Sequence, residues 1–219
     1  MTGQLALKFP LTSDATFGNY IGHAASKIRT LKTLAYLWGP TQSGRSHLLQ
    51  ALCHEANDNK RSAIYLESLW EYEAELFNGL ESMSVIAVDD IDTVIGASDW
   101  ELALFHLINA VSDKQGLLVV SAKVPANQLA VDLNDLRSRL SSAVAVHTDW
   151  LSDQEKLQAL QKRAKFRGFT LDDDVGHFLL DRVPRNMGSL MEVLGRIELE
   201  TLNQQRKATI PLVKRMLGL

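Results

Sequence analysis

The chain of 219 residues has one cysteine, five prolines and no long apolar run, and each scarcity excludes a class of protein. Cys53 has no partner, so a disulfide framework is excluded and the thiol is expected to pack as a small apolar group. No stretch approaches the length of a transmembrane helix, and the first residues lack the basic-then-apolar pattern of a secretory signal. These absences predict a cytoplasmic protein without a membrane segment.

An excess of positive charge is also missing. The net charge is −3, whereas a dedicated duplex DNA-binding surface depends on a concentrated positive field. Six histidines are scattered without the spacing of metal ligands, so no structural zinc is predicted. What is present, 46% hydrophobic and 22% charged residues, is typical of a globular protein with a substantial core.

The segment GPTQSGRS at residues 39–46 matches the pattern of a phosphate-binding loop between a predicted strand and a predicted helix. Gly39 and Gly44 let the backbone curl so that N–H groups and the helix N-terminus face a phosphate. The Ser46 hydroxyl would reach a magnesium ion. Arg45 replaces the usual lysine, and its planar fork cannot place a compact ammonium between the last two phosphates. We therefore expect nucleotide binding to be retained and fast hydrolysis to be lost.

The run VIAVDD at residues 85–90 ends in two carboxylates, as expected of a strand whose C-terminal end holds a magnesium ligand. Asp89 is predicted to position the metal and its water, and Asp90 to lie near the attacking water. The alternatives are a plain strand-to-helix turn and a solvated strand end, but the two motifs together favour a nucleotide site. The predicted nucleotide-binding residues are Gly39, Pro40, Thr41, Gln42, Ser43, Gly44, Arg45, Ser46, His47, Asp89 and Asp90, with Ser46 and Asp89 as Mg²⁺ ligands.

Predicted strands and helices alternate up to residue 149, which indicates an α/β domain with a parallel sheet covered on both faces. The predicted strands are 34–38, 63–66, 85–89, 117–121 and 143–147, and the predicted helices between them include Leu69–Phe77 and Trp100–Val111. Beyond residue 150 the strand pattern disappears, and four helices are predicted at 153–167, 172–182, 187–206 and 210–217. The predicted domains are therefore an N-terminal tail at 1–9, an α/β domain at 10–149 and a helical subdomain at 150–219.

This arrangement resembles the AAA+ ATPases, most closely the DnaA/Hda family. The resemblance is carried by QLALKF, ATFGNYIG, GPTQSGRSHLL, VIAVDDID, DLRSRL, LQALQKRAKFRGF and DDVGHFLLDRV. It implies an AAA+ P-loop nucleotide-binding domain with a five-stranded parallel sheet, followed by a small all-helical lid subdomain. It also implies an adenine nucleotide as cofactor, with ADP favoured and Mg²⁺ allowed.

The resemblance further implies that the N-terminal tail binds the β sliding clamp of DNA polymerase III. In such proteins a short peptide that begins Gln-Leu docks in a hydrophobic pocket of the clamp, which assigns clamp binding to Gln4, Leu5, Leu7 and Phe9. An amide that hydrogen-bonds and three apolar anchors suit this mode of binding. The alternatives are a frayed terminus or an extra edge strand. Because no helix-turn-helix domain follows the lid, sequence-specific DNA recognition is not expected. DNA would be reached indirectly, through the clamp, and direct contact by basic residues near the lid is left open.

Arg139 in the DLRSRL segment aligns with the family's arginine finger, which reaches a neighbour's γ-phosphate. For Arg139 and for Arg137, the alternative is a cation that complements a helix C-terminus. Ala122 stands where relatives place an acid after the fourth strand. Gly188 stands where the lid's nucleotide-sensing arginine is expected, with Arg185 one helical turn earlier. These departures predict a site that holds nucleotide and turns it over slowly, if at all. The alternative is a relic site that no longer binds nucleotide.

The resemblance thus implies a negative regulator of DNA replication initiation. The chain would link DnaA to the sliding clamp and stimulate hydrolysis of DnaA-bound ATP to ADP through Arg139 in trans, with weak or no ATPase activity of its own. One alternative is an autonomous P-loop ATPase of helicase-loader type that remodels a replication partner. Another is a binding-only scaffold. A homodimer that covers Arg139 is left open.

Overall fold

The computed structural model describes residues 11–204 and 207–219, which form two compact units. Residues 11–17 and 23–149 belong to the first unit, and residues 18–22 and 150–219 to the second. The residues predicted to bind the clamp lie outside the described part of the chain; these are Gln4, Leu5, Leu7 and Phe9.

The first unit is built on a five-stranded sheet in which every neighbouring pair is parallel, as predicted. The strand order is β2-β3-β4-β1-β5. The strands are β1 (Ala35–Trp38), β2 (Ala63–Leu66), β3 (Val85–Val88), β4 (Leu117–Ala122) and β5 (Val144–His147). β3 and β4 are buried along their whole length because they are interior strands covered on both faces, which explains their continuous apolar sequences.

Four α-helices accompany the sheet: α1 (Ala24–Ile28), α2 (Arg45–Asp58), α3 (Ser98–Asp113) and α4 (Asn134–Ser142). The predicted helix over Leu69–Phe77 is wrong. The structure has two separate 3₁₀ turns there, Leu69–Glu71 and Ala74–Phe77, and a third at Leu80–Ser82. Tyr72 is extended (φ −128°, ψ 173°) and interrupts the helix, which allows apolar side chains of both flanking turns to enter the core.

The second unit is all-helical, in agreement with the prediction, and has its own hydrophobic core. Its helices are α5 (Asp153–Phe166), α6 (Asp173–Arg182), α7 (Met187–Gln204) and α8 (Ile210–Leu217). α5 begins with a capping box, in which the Ser152 hydroxyl accepts from the Glu155 N–H and the Glu155 carboxylate accepts from the Ser152 N–H. None of the helices in the two described ranges is long and apolar enough to cross a membrane.

Parallel strands end at one edge of a sheet, so the segments after β1, β3, β4 and β5 meet there. They carry the glycine loop, the Asp89–Asp90 pair, Lys123 and Thr148. Cys53 is buried on α2, and this burial raises the pKa of its thiol to about 12. The prediction that Cys53 packs as a small apolar residue is thereby confirmed.

Candidate nucleotide-binding site

The glycine loop has the backbone geometry of an anion-binding cradle. Gly44 is the N-cap of α2 and takes a left-handed conformation with φ +92°, and Gln42 is also left-handed with φ +65°. The Ser43 N–H donates to the Pro40 carbonyl at 3.2 Å, which tightens the turn. The first N–H groups of α2 have no acceptor within the helix, and the helix dipole adds partial positive charge. The loop therefore fits a phosphate.

Gly39 is required at its position by the end of β5. A Cβ atom on Gly39 would lie closer than 3.0 Å to both the carbonyl oxygen and Oγ1 of Thr148. The Thr148 hydroxyl also shares a 2.6 Å hydrogen bond with the Ser43 hydroxyl, and both side chains are buried. Thr148 thus fixes the loop from the side of the sheet. Sequence reasoning missed it because Thr148 and Ser43 are 105 residues apart.

Arg45 is buried and pairs with Asp90. Its Nη1 lies 2.6 Å from Asp90 Oδ1, and the side-chain exposures are 6% for Arg45 and 32% for Asp90. Asp90 adopts a left-handed backbone (φ +48°), which directs the chain into the 3₁₀ turn Ile91–Thr93. The structure therefore joins Arg45 of the glycine loop to Asp90 of the second motif, a contact that the sequence analysis did not predict.

Asp89 is buried between two hydroxyl donors. The Tyr65 hydroxyl donates to Asp89 Oδ2 at 2.8 Å, and the Ser121 hydroxyl donates to Oδ1. The Asp90 N–H also donates to Ser121 Oγ at 3.0 Å, which connects the Asp89–Asp90 pair to β4. Burial and the adjacent Asp89 carboxylate raise the pKa of Tyr65, so its hydroxyl stays protonated and remains a donor. Sequence reasoning missed Tyr65 and Ser121. Their positions at the carboxyl ends of two predicted strands are the signal that could have revealed them.

The carboxylates at this edge repel one another. Burial raises the pKa of Asp90, and the neighbouring Asp89 and Asp92 raise it further, while the Arg45 guanidinium acts in the opposite direction. Asp92 Oδ2 lies 3.2 Å from Lys123 Nζ, whereas its buried Oδ1 accepts no hydrogen bond within the described residues. A cation or a hydrogen-bond donor would be stabilised at this edge.

The remaining predicted residues line the loop. Thr41, Gln42 and Ser46 are exposed, so the Ser46 hydroxyl on the first turn of α2 is accessible to a ligand. His47 is half-buried, and its Nε2 lies 2.8 Å from the Thr16 carbonyl oxygen. In the two described ranges, no three His, Cys, Asp or Glu side chains are grouped so as to hold a metal ion by themselves. A magnesium ion here would need phosphate or water ligands in addition to Ser46 and Asp89.

Arg139 and Arg137 lie on α4 in different environments. Arg137 donates from Nη1 to Asn134 Oδ1 at 3.0 Å and from Nη2 to the Val131 carbonyl, so it is used locally. Arg139 is exposed, and its guanidinium makes no hydrogen bond or ion pair with any residue of the described ranges. Of the two arginines, only Arg139 is available to a partner.

A buried carboxylate holds the segment that leads into α4. Glu101 is 1% exposed and accepts from the N–H groups of Gly96, Asp132 and Leu133 at 2.6–3.0 Å. Burial opposes ionisation of Glu101, but these hydrogen bonds and the nearby Arg137 outweigh it and lower its pKa. Glu101 therefore connects the loop after β3 with the start of α4, a role the sequence did not reveal.

The structure also places Ala122 and Gly188, the two positions at which relatives are expected to carry an acid and an arginine, and Arg185 near Gly188. Ala122 is fully buried at the end of β4, opposite Trp38 of β1. Gly188 lies in the first turn of α7. Arg185 is engaged within the helical unit, where its guanidinium lies 2.9 Å from Asp153 Oδ2 and its Nε donates to the Leu180 carbonyl at 3.1 Å.

Comparison with known proteins gives two family matches. The family model described as the bacterial DnaA ATPase domain matches residues 20–147, and the model described as the Hda lid domain matches residues 153–217. Together the two matches span the sheet unit and the helical unit.

Solved structures show the same fold. Domain III of the replication initiation protein DnaA from Thermotoga maritima has a TM-score of 0.76 at 17% identity and covers 95% of this chain and 98% of that chain. AMPPCP-bound DnaA from Aquifex aeolicus has a TM-score of 0.68 at 19% identity, with 88% and 67% covered. The Thermotoga maritima RuvB Holliday junction branch migration motor has a TM-score of 0.68 at 15% identity, with 93% and 71% covered. At these identities the likeness establishes the AAA+ fold with its helical lid.

Proposed function

Since the chain belongs to the DnaA/Hda family of AAA+ proteins, and is thus a DnaA-related replication regulator, we propose that it is a negative regulator of replication initiation that acts on DnaA. It links DnaA to the β sliding clamp through residues 1–9. It stimulates hydrolysis of DnaA-bound ATP to ADP by presenting Arg139 to the active site of DnaA. DNA is reached indirectly, through the clamp.

The observation that carries this proposal is the availability of Arg139. An arginine supplied in trans stabilises charge on the transferred phosphoryl group and accelerates hydrolysis by about three to five orders of magnitude. Such an arginine must be exposed, and its guanidinium must not be engaged in hydrogen bonds or ion pairs within its own chain. Arg139 meets both conditions among the described residues, whereas Arg137 on the same helix is hydrogen-bonded locally. Glu101 supports the finger by holding the segment that precedes α4.

The chain's own site suits nucleotide retention better than turnover. The loop and the first turn of α2 would bind the phosphates, and Ser46 and Asp89 would hold Mg²⁺, which supplies charge neutralisation at the phosphates when it is bound. Asp90, the carboxylate nearest to an attacking water in the prediction, instead pairs with Arg45 at 2.6 Å. We therefore assign ADP as the resident nucleotide. The departures from the family pattern at Arg45, Ala122 and Gly188 also argue against an autonomous helicase-loader-type ATPase.

Tethering makes a weak finger contact effective. Attachment to a clamp on DNA raises the local concentration of Arg139 near DnaA, because the second contact becomes intramolecular. The N-terminal peptide and the AAA+ unit should therefore both be necessary, although neither binds tightly alone.

The test is the rate of ATP hydrolysis by DnaA in the presence of clamp-loaded DNA and this protein. We expect the parent to accelerate hydrolysis, and Arg139→Ala and deletion of residues 1–9 each to abolish the acceleration. Arg139→Lys keeps the charge without the fork and should retain only a small part of it. Arg61→Ala is the matched control. It removes an exposed arginine just before β2 and should accelerate hydrolysis as the parent does. Full activity of Arg139→Ala would reject the finger.

A further inference from the structure

The segment 62–113 contains eleven Asp and Glu residues and no Lys or Arg. Its formal charge is therefore −11, and since the whole chain carries −3, the other residues together carry +8. The segment runs from β2 through the three 3₁₀ turns and β3 to the end of α3. Asp90, Asp92 and Glu81 pair with cations from outside the segment, and Asp89 and Glu101 are buried. The exposed carboxylates that remain attract cationic partners and repel nucleic acid.

A groove opens within this acidic segment, between two of the 3₁₀ turns (Ala74–Phe77 and Leu80–Ser82) and α3, with a volume of about 530 Å³. We call it the α3 groove. Its apolar lining comes from Ala74, Phe77, Leu102, Ala103, Leu107 and Ala110. Of these residues, Leu102 is 49% exposed, whereas Ala74, Phe77 and Leu107 are buried. The volume suffices for several side chains of a ligand.

Carboxylates border the α3 groove. Glu75 stands on the turn side and Asp99 on the first turn of α3, and neither forms an ion pair with any residue of the described ranges. Glu81, a third carboxylate of the lining, lies 3.5 Å from Lys114 Nζ, and the Lys114 side chain is 55% exposed. An exposed ion pair of this kind contributes little and is readily exchanged for another cation.

We infer that the α3 groove is a docking site for a cationic amphipathic segment of a partner protein, whose apolar side chains enter the groove while lysine or arginine side chains pair with Glu75 and Asp99. An apolar strip flanked by unpaired carboxylates is complementary to a helix that carries leucines at i, i+3 and i+4 with flanking basic residues. Charge complementarity selects this partner over an acidic peptide and over nucleic acid, because both would meet like charge. The inference is independent of the finger and of the nucleotide site.

The experiment measures binding of a fluorescein-labelled 14-residue peptide of Leu and Lys, arranged to form one apolar helical face, to the full chain by anisotropy. We expect saturable binding that weakens with added salt, and at least tenfold weaker binding by Glu75→Gln/Asp99→Asn and by Leu102→Ser. Glu73→Gln is the matched control, since Glu73 is an exposed acid of the same segment that does not line the groove. Circular dichroism spectra and urea unfolding curves that match those of the parent verify that each variant is folded.

Three results would overturn the inference. A scrambled peptide of the same composition that binds equally well would show that charge alone is sensed. A loss with Glu73→Gln as large as the loss with the double variant would place binding outside the groove. Concentration-dependent self-association of the parent, abolished by the groove variants in sedimentation experiments, would assign the groove to a second copy of the chain.

Discussion

Replacement of Asp90 by asparagine should tighten ADP binding. The Arg45 guanidinium lies 2.6 Å from the Asp90 carboxylate, so a phosphate that binds Arg45 must compete with that carboxylate for the same cation. Asparagine preserves the size and one hydrogen-bond acceptor but removes the negative charge. The free protein loses the ion pair, whereas the nucleotide-bound protein, in which a phosphate takes Arg45, loses little. The stabilisation that the free protein loses, and the bound protein does not, therefore appears as a gain in ADP affinity.

The magnitude follows from the burial of the pair. Removing one partner of a fully buried pair costs about 3–5 kcal/mol, and an exposed pair contributes about 1 kcal/mol or less. With Arg45 buried and Asp90 one-third exposed, an intermediate loss of about 2 kcal/mol is expected in the free protein. If the bound state is spared, ADP should bind about 30-fold more tightly.

Two measurements check this prediction: calorimetric titration with ADP, and urea unfolding without nucleotide. Asp90→Asn should lower the free energy of unfolding and raise ADP affinity by similar amounts. Asp92→Asn removes a charge from the same turn but from a residue that pairs with Lys123, so it should change ADP affinity much less. Parent-like or weaker ADP binding by Asp90→Asn would refute the reasoning, because Asp90 would then contact Arg45 or the ligand in the bound state.

Glu101→Gln should lower the free energy of unfolding by about 2–3 kcal/mol at pH 7, since an amide cannot replace an acceptor of three N–H groups. Because the pKa of Glu101 is lowered by folding, its stabilisation is complete above the unfolded-state pKa, and the difference from the parent should shrink as the pH falls below about 4 in urea titrations. Gly39→Ala should lose about 3 kcal/mol or more of stability and most ADP binding, because the new methyl group would overlap Thr148. Ser152→Ala should cost about 1 kcal/mol by thermal unfolding, through loss of the α5 cap, and leave ADP affinity unchanged.

For each of these variants, a control variant or a threshold value tests the cause of the expected loss of stability. Glu192→Gln, at an exposed glutamate, should leave stability unchanged at both pH values; an equal pH-dependent loss would show that the effect does not belong to Glu101. Gly96 has φ +94° and open space around its Cβ position, so Gly96→Ala should cost about 1–2 kcal/mol through backbone strain alone. If Gly39→Ala costs no more than Gly96→Ala, the packing against Thr148 is softer than the geometry indicates. A stability loss from Ser152→Ala well below 0.5 kcal/mol would mean that solvent caps α5 equally well.

The sequence by itself determined the elements whose signals are local. Short apolar runs placed all five strands within one residue at each end. The signal is strongest for β3 and β4, because a strand buried on both faces is apolar at nearly every position. The glycine loop was likewise visible, since a left-handed turn depends on residues only a few positions apart. The exception, Leu69–Phe77, had the composition of a helix, but burial of side chains from both turns required an extended Tyr72 between them.

Only the tertiary structure decided which of these residues are partners. The strand order β2-β3-β4-β1-β5 brings Tyr65 and Ser121 to Asp89 from opposite sides, and no local pattern specifies which strands are neighbours. The pairing of Arg45 with Asp90 spans 45 residues and arises because the carboxyl ends of parallel strands share one edge. The hydrophobic pattern of a segment indicates how deeply that segment is buried. These contacts depend instead on the path of the chain between segments, which is set by the packing of the whole unit.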